Sequence, residues 1–140
     1  MAASIVEVRV FRLLYDESTK TPVVLLKEVQ GNRILPILIG HPEAQAIAIA
    51  LQGIEVERPL THDLLKNIIQ GFGGRVERIV INQLRNNTFY ARIIVRANHT
   101  VYTVDARPSD SIALALRTGC PIYVAEAVME ESAAPESLEL

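Results

Sequence analysis

The sequence predicts one α+β domain, with a mixed, mostly antiparallel sheet and three main helices. Short segments rich in Val, Ile and Leu alternate with turn residues, which is typical of strands joined by tight connections. Three other segments begin near a Pro and end at a Gly, as helices commonly do. The length of 140 residues is usual for a single domain.

The turn residues and the Pro and Gly at helix ends define the bounds of the predicted elements. The first three strands are separated by the turn sequences DESTK and QGN, and a second group of strands is turned at Arg85-Asn86-Asn87 and Ala97-Asn98-His99. We interpret His99 as a turn residue. The strands are predicted at 5–14, 22–29, 33–39, 75–84, 88–96, 100–105 and 121–124. The helices are predicted at 42–52, 59–72 and 108–118, with a last helical turn around 125–131.

Two of the helices differ in how they should pack. The helix at 42–52 is apolar on nearly all sides, so we expect it to be buried. The helix at 59–72 carries its large apolar side chains on one stripe, so we expect a surface helix with that stripe facing inward. The stripe consists of Leu60, Leu64, Leu65, Ile68, Ile69 and Phe72.

Charge divides the chain into a body and a tail. The formal charge is −2, but four of the 16 acids lie in the last eleven residues, so residues 1–129 hold 14 bases against 12 acids. Eleven of the bases are Arg, which suits bidentate phosphate contacts. We predict one domain at 1–131 and an acidic disordered tail at 132–140.

Composition also excludes several classes of protein. No stretch has the length of a membrane span, and Met1-Ala2-Ala3 begins no secretion signal, so we expect a cytoplasmic protein. Cys120 is a single cysteine and is expected to be a small buried residue, not a nucleophile. No dinucleotide, P-loop, zinc or serine hydrolase motif is present. With 49% hydrophobic residues, we expect a homo-oligomer, most simply a dimer.

Two helix starts combine an arginine with the residues of a phosphate site. Arg58 and Arg107 each precede a Pro at a helix N-terminus, where the free N–H groups and the helix dipole attract anions. The hydroxyls of Thr61 and Ser109 follow closely and complete the predicted phosphate-binding set. The alternative is that each arginine only pairs with a first-turn carboxylate, Asp63 or Asp110.

The same segments carry candidate catalytic groups. His62 could act as a proton carrier, and Asp105 and Asp110, which flank Arg107, could together bind one hard divalent cation. The alternative is structural, because first-turn acids such as Asp63 and Asp110 often only cap helices. Asp105 ends a strand, where Asp often begins a turn.

Three segments resemble the bifunctional nuclease domain family. They are Gly40 to Ala50 with Glu43-Ala44, the run RPLTHDLL from Arg58, and the run DARPSDSIALALR from Asp105, followed by PIYV at 121–124. The resemblance covers about residues 5–130 in order, with Ser111 standing where we expected Ala. It implies an α+β fold, oligomeric assembly and activity on both RNA and DNA, so the predicted domain at 1–131 is interpreted as a bifunctional nuclease-like domain.

Two functions therefore remain open. In the first, the chain is a nuclease for RNA and DNA that assembles Glu43, Asp63, Asp105 and Asp110 around a divalent cation, with magnesium preferred. Asp105, Asp110, His62 and Asp63 are then the catalytic residues. In the second, the chain is a non-catalytic oligomeric module that binds nucleic acid or a nucleotide at helix N-termini. Both functions use the two arginines. We predict that the helix starts at Arg58 and Arg107 converge on one cleft and that their acids act in it together.

Overall fold

Eight strands and four helices occupy residues 4–136, the part of the chain that the computed structural model describes. None of these helices combines the length and hydrophobicity that a membrane crossing requires. The strands are β1 (Ile5–Asp16), β2 (Thr21–Glu28), β3 (Arg33–Leu38), β4 (Gly74–Arg85), β5 (Thr88–Ala97), β6 (Thr100–Ala106), β7 (Ile122–Ala125) and β8 (Ala134–Pro135). The helices are α1 (His41–Leu51), α2 (Thr61–Gly71), α3 (Pro108–Thr118) and α4 (Glu126–Ser132).

The strands form one mixed sheet in the order β6-β5-β4-β7-β1-β2-β3-β8. Two antiparallel meanders, β1-β2-β3 and β4-β5-β6, are joined by β7, which lies antiparallel to β1 and parallel to β4. Every other pair in the sheet is antiparallel. The predicted α+β class with a mostly antiparallel sheet is therefore confirmed.

Tight turns join the three strands of the second meander. Asn86 and Asn87 link β4 to β5, and Asn98 and His99 link β5 to β6, all with positive φ values between 51° and 66°. A two-residue hairpin turn with both central residues at positive φ matches the twist of the flanking strands, and Asn tolerates that backbone conformation best after Gly. His99 thus lies in a hairpin turn, as expected from the sequence.

The core lies between one face of the sheet, here called the inner face, and the layer formed by α1, α2 and α3. Ile79, Ile81 and Ile93 face this layer from the strands, and α3 meets them with Ile112 and Leu114. The expectation that α1 is buried was wrong, since within it only two residues are fully buried. The reason is that α1 packs mainly on α3, and its other sides are covered only in part.

The apolar stripe of α2 is also placed differently from the prediction. Leu64, Ile68 and Phe72 are exposed, and the one fully buried residue of the helix is His62. The helical period was correct, but α2 sits at the border of the layer, against α3 and β4, so that only the edge of the stripe containing Ile69 packs on the core. A large apolar surface is consequently left uncovered.

The C-terminal segment departs from the predicted disordered tail over residues 132–136. Strand β8 pairs with β3 through Ile34 and Ala134, and the backbone N–H of Glu136 donates to the carbonyl of Asn32 at 2.8 Å. The Glu136 carboxylate also pairs with Lys27 Nζ at 2.6 Å. The rest of the predicted tail, residues 137–140, lies outside the described range.

A guanidinium clamped by two carboxylates ties α4 to the first meander. Arg33 donates to both oxygens of Glu28 at 2.8–2.9 Å and to both oxygens of Glu126 at 2.7–2.9 Å. These hydrogen bonds lower the pKa of both carboxyl groups and raise the pKa of the guanidinium, because each favours the charged form of its partner.

Candidate functional site

The N-termini of α2 and α3 meet at a histidine–carboxylate pair. His62 Nε2 lies 2.8 Å from Asp110 Oδ1, although the two residues are 48 positions apart in sequence. His62 is only 7% exposed, and α2 packs against α3. The helix starts that follow Arg58 and Arg107 in sequence therefore do come together. Joint action of their acids in one cleft stays a prediction.

Arg107 occupies the other side of the same carboxylate. It is the N-cap residue of α3, and its Nε and Nη2 atoms both lie 2.9 Å from Asp110 Oδ2. Asp110 thus bridges an imidazole and a guanidinium through its two oxygens. The arginine side chain is still 65% exposed, so it can reach a ligand from solvent while it is held by Asp110.

Glu43 closes the cluster from the start of α1. Its carboxylate lies 3.8 Å from Arg107 Nη2, at the outer limit of an ion pair, and it curls back over Gly40. A Cβ at position 40 would collide with Glu43 Oε1. The absence of a side chain at Gly40 therefore leaves space for the Glu43 carboxylate. Three helix N-termini therefore contribute Glu43, His62, Arg107 and Asp110 to one surface, which we call the helix-end cluster.

Asp63, in contrast, is engaged on both oxygens by structural partners. Oδ2 accepts from the backbone N–H of Leu60 at 2.9 Å, which caps α2, and Oδ1 accepts from Arg117 Nε at 2.9 Å. The Leu60 hydrogen bond and the Arg117 side chain hold the pKa of this carboxyl below its ordinary value. The geometry favours the capping alternative for Asp63.

Arg117 is a residue that the sequence analysis did not single out. Its side chain is only 7% exposed, and besides Asp63 it donates to the carbonyls of Ala113 at 2.9 Å and Ala46 at 3.0 Å. One guanidinium thus connects α1, α2 and α3 behind the helix-end cluster. Its spacing of seven residues from Asp110 puts both on one face of α3, a signal that could have identified it.

The hydroxyl of Ser111 supports the start of α3. Ser111 is fully buried, and its Oγ donates to the carbonyl of Arg107 at 2.9 Å. A buried hydroxyl needs such a partner to offset the loss of water. The serine at this position is accommodated without an unpaired polar group.

The remaining predicted residues are not part of the cluster. Asp105 is exposed and pairs in register with Arg92, so its side chain lies on the outer face of the sheet, opposite the layer containing Asp110. Arg58 is exposed in the connection before α2 and makes no hydrogen bond or ion pair within residues 4–136. Thr61 is exposed at the first residue of α2, and Ser109 is buried in the first turn of α3.

The predicted ligands of a divalent cation do not converge. Within residues 4–136 no group of three or more His, Cys, Asp or Glu side chains is placed to hold a metal ion. Glu43, Asp63 and Asp110 each face a guanidinium instead of one another. Asp105 lies across the sheet from them. The donor set therefore does not fit the cation site that was predicted, and the cation itself stays a prediction.

The cluster combines two chemical abilities, one from the exposed Arg107 and one from the buried His62. The guanidinium of Arg107 offers hydrogen-bond donors in the geometry that suits phosphate oxygens. The imidazole of His62, held by a carboxylate, can accept and return a proton. A cavity of about 470 Å³ elsewhere, over β1, β2 and β3, contains none of the predicted site residues. The helix-end cluster is thus the best candidate for chemistry on a phosphate ester.

Comparisons with known proteins agree with the resemblance seen in the sequence. A family model described as the bifunctional nuclease domain matches residues 24–137. An uncharacterized protein of Mycobacterium tuberculosis is 48% identical over 126 residues, which is 90% of this chain and 75% of that protein. Bifunctional nuclease 1 of Oryza sativa subsp. indica is 27% identical over 83% of this chain, and bifunctional nuclease 2 of Oryza sativa subsp. japonica is 29% identical over 77%. The chain spans only 36% and 34% of these two plant proteins.

Proposed function

Because that family match covers most of the chain, the chain belongs to the bifunctional nuclease domain family, and we propose that it cleaves phosphodiester bonds in both RNA and DNA. The names of the two rice relatives, bifunctional nuclease 1 and bifunctional nuclease 2, suggest this activity. The chain spans only 36% and 34% of those proteins, so the activity of the whole relatives is a proposal for this chain.

The observation that carries the proposal is the contact of His62 and Asp110 beside the exposed guanidinium of Arg107. Hydrolysis of a phosphodiester requires that a water oxygen attack phosphorus, that the water lose a proton, and that the leaving oxygen gain one. His62, held by Asp110, takes the proton of the water. The bond from phosphorus to the leaving oxygen then breaks, and the protonated imidazole returns a proton to that oxygen.

Arg107 provides the electrostatic part of this mechanism. Negative charge grows on the phosphate oxygens as the water attacks, and a guanidinium placed in advance stabilises that charge. Arg107 has donors left over from its contact with Asp110, because that contact involves only Nε and Nη2, whereas the guanidinium carries five N–H donors. Arg58, at the exposed approach to α2, is a second phosphate ligand in this proposal, and the hydroxyls of Thr61 and Ser109 remain predicted members of that set.

No step of the mechanism is assigned to a metal ion. The carboxylates expected to bind one are neutralised by arginines or lie on the other face of the sheet. A requirement for magnesium is a separate prediction from the sequence. Loss of cleavage in EDTA that is restored by added magnesium would support it.

The test is cleavage of labelled single-stranded RNA and DNA by purified protein. His62→Asn and Asp110→Asn should each slow cleavage at least about a hundredfold, the lower end of what a general acid–base group contributes. His99→Asn and Asp16→Asn make the same chemical changes at exposed turns and should leave the rate unchanged. Circular dichroism and melting curves on the same samples separate loss of chemistry from loss of fold.

Two results would overturn the proposal. Wild-type protein that binds both nucleic acids and cleaves neither would favour the non-catalytic binding module. Full activity in a folded His62→Asn protein would remove the histidine pair from the mechanism.

We also propose that copies of the chain associate through the exposed stripe of α2. A groove of about 390 Å³ lies between this helix and β6, and its lining is almost wholly apolar. Phe72 is 82% exposed, and Tyr102 and Val104 extend the surface onto β6, which is an edge strand with unpaired backbone groups. Surfaces of this kind are normally covered by a partner. A second copy, most simply in a dimer, is the proposed partner, and a cytoplasmic location stays a prediction from sequence.

A further inference from the structure

Five arginines share the outer face of β4 and β5, the face turned away from the helix layer. Residues paired directly across an antiparallel ladder have their side chains on the same face. The register pairs Arg75 with Arg96, Arg78 with Ile94, and Arg92 with Val80. Arg85 is paired with Thr88 at the hairpin end of the same face. We call Arg75, Arg78, Arg85, Arg92 and Arg96 the arginine strip.

The strip is poorly neutralised. Arg96 pairs with Glu77, but the other four form no ion pair with any residue between Ser4 and Glu136. The arginines of the core and the cluster differ in this respect, since Arg33, Arg107 and Arg117 all face carboxylates. Among the described residues of β4, β5 and β6 the acids are Glu77 and Asp105, and Glu7 lies on the same face two strands away on β1. A concentration of unpaired guanidinium groups on a regular surface is the electrostatic footprint of a polyanion site.

Two further details point to phosphate and base contacts. The Nε atom of Arg78 is shielded from solvent and has no hydrogen-bond acceptor among the described residues, so a phosphate oxygen beside it would satisfy a buried donor. Tyr90 lies on the same face, with the Arg85 guanidinium 5.3 Å from its ring centroid. An aromatic ring next to cationic groups is what stacks with the bases of single strands.

The length and direction of the strip fit an extended chain. Arg85 pairs with Thr88, which lies eight residues before Arg96 on β5. The strip is therefore roughly 26 Å long at the usual rise of a β-strand. Arg92 on β5 pairs with Asp105 on β6. Arg107 follows Asp105 by two residues and lies at the start of α3. A polymer lying on the strip would therefore be led to the edge of the sheet where the helix-end cluster begins.

We propose that the arginine strip binds the phosphodiester backbone of single-stranded RNA or DNA without regard to sequence. Binding by the strip is independent of cleavage, whereas its role in delivering a strand to the helix-end cluster rests on the proposed function. The contacts are predominantly ionic, since the strip offers five guanidinium groups and one aromatic ring.

The test measures binding of a labelled 20-nucleotide single strand by fluorescence anisotropy over a range of salt concentrations. Each oligonucleotide is run on a gel afterwards to confirm that it is intact. The strip variant is Arg92→Gln/Arg96→Gln in the full chain. The matched control is Lys20→Gln/Lys66→Gln, which removes the same charge from a turn and from α2.

We expect the strip variant to raise Kd at least about tenfold and to lower the slope of log K against log salt by roughly 1.4, the value for two lost contacts to a single strand. The control should change neither quantity by comparable amounts. Oligonucleotides of different sequence should bind alike. Equal affinity and equal slope in the strip variant and the control would overturn the proposal, as would tighter binding to vesicles of anionic phospholipid than to either nucleic acid.

The outcome can be separated from the fate of the proposed nuclease activity. A protein that binds through the strip but cleaves nothing supports the strip and overturns the proposed function. Normal cleavage, together with binding that is unchanged in Arg92→Gln/Arg96→Gln, supports the proposed function and overturns the strip.

Discussion

Replacing Arg117 by methionine should destabilise the fold strongly, and the size of the effect follows from the contacts. Methionine keeps most of the apolar volume but removes the donors to Asp63, Ala113 and Ala46. Removing one partner of a buried ion pair costs about 3–5 kcal/mol because the other charge is left without compensation. The Asp63 side chain is 30% exposed, so water can solvate it in part, and the lower figure of about 3 kcal/mol applies.

The measurement is equilibrium unfolding in urea together with thermal melting. A loss of this size should lower the melting temperature by roughly 10 °C in a chain of this length. Asp63→Asn and the double variant complete a double-mutant cycle, in which the combined loss should be clearly smaller than the sum of the single losses. Asp63→Asn should also keep the specific activity of the folded fraction.

Two results would refute this reasoning about Arg117 and Asp63. A loss below about 1 kcal/mol for the Arg117 variant would show that its buried contacts contribute little, since that is the usual range for a surface pair. Abolished cleavage in an Asp63→Asn protein of unchanged stability would return Asp63 to the catalytic residues.

Two other predictions concern the whole molecule. The pKa values of Glu28 and Glu126 are lowered in the folded state, so their contribution to stability is complete above the unfolded pKa and is lost as pH falls through the folded one. The unfolding free energy should therefore be flat near neutral pH and fall as pH drops below the ordinary Glu pKa of 4.5, less steeply in Glu126→Gln. Equal slopes in the two proteins would contradict this. Leu64→Asp/Ile68→Asp should convert the assembly to a particle of 15.5 kDa in light scattering, whereas Gln70→Asp should not. A wild-type particle of 15.5 kDa at micromolar concentration would end the proposal of self-association.

Local chemistry made most of the fold predictable. The asparagines at 86, 87 and 98 favour positive φ, and this located both hairpins of the second meander. Proline at the start of α1 and α3, with Gly119 at the left-handed C-cap of α3, located those helices to within a residue. Such signals depend on the residue and its neighbours only, so tertiary contacts did not override them.

The packing of the helices was less predictable. The stripe of α2 has the period of a helix facing a core, but the same period serves a helix that faces another molecule. The pattern therefore predicted that α2 is a helix, but it did not predict what its apolar stripe contacts. The apolar composition of α1 likewise did not show that α3 would cover only one of its sides.

The candidate site was predicted in part for a related reason. The repeated start of Arg, Pro and an acid indicated that two helix ends converge, yet it did not identify His62 as the partner of Asp110. Strand alternation could have placed Asp105 correctly, because a partly buried Ala106 on the inner face requires its neighbour to point outward. The pairing of Asp63 with Arg117 depends on how α2 lies against α3, which no local pattern encodes.

We propose that His62 and Asp110 act as one unit in phosphodiester cleavage, and a double-mutant cycle on the cleavage rate tests this proposal most directly. Single-turnover rates are measured for wild type, His62→Asn, Asp110→Asn and the double variant on the same labelled strand. Groups that act as a unit are strongly non-additive, so the double variant should be slower than the slower single variant by no more than about threefold. Losses that multiply to about ten-thousandfold would mean that the two side chains act independently, and this result would contradict the account.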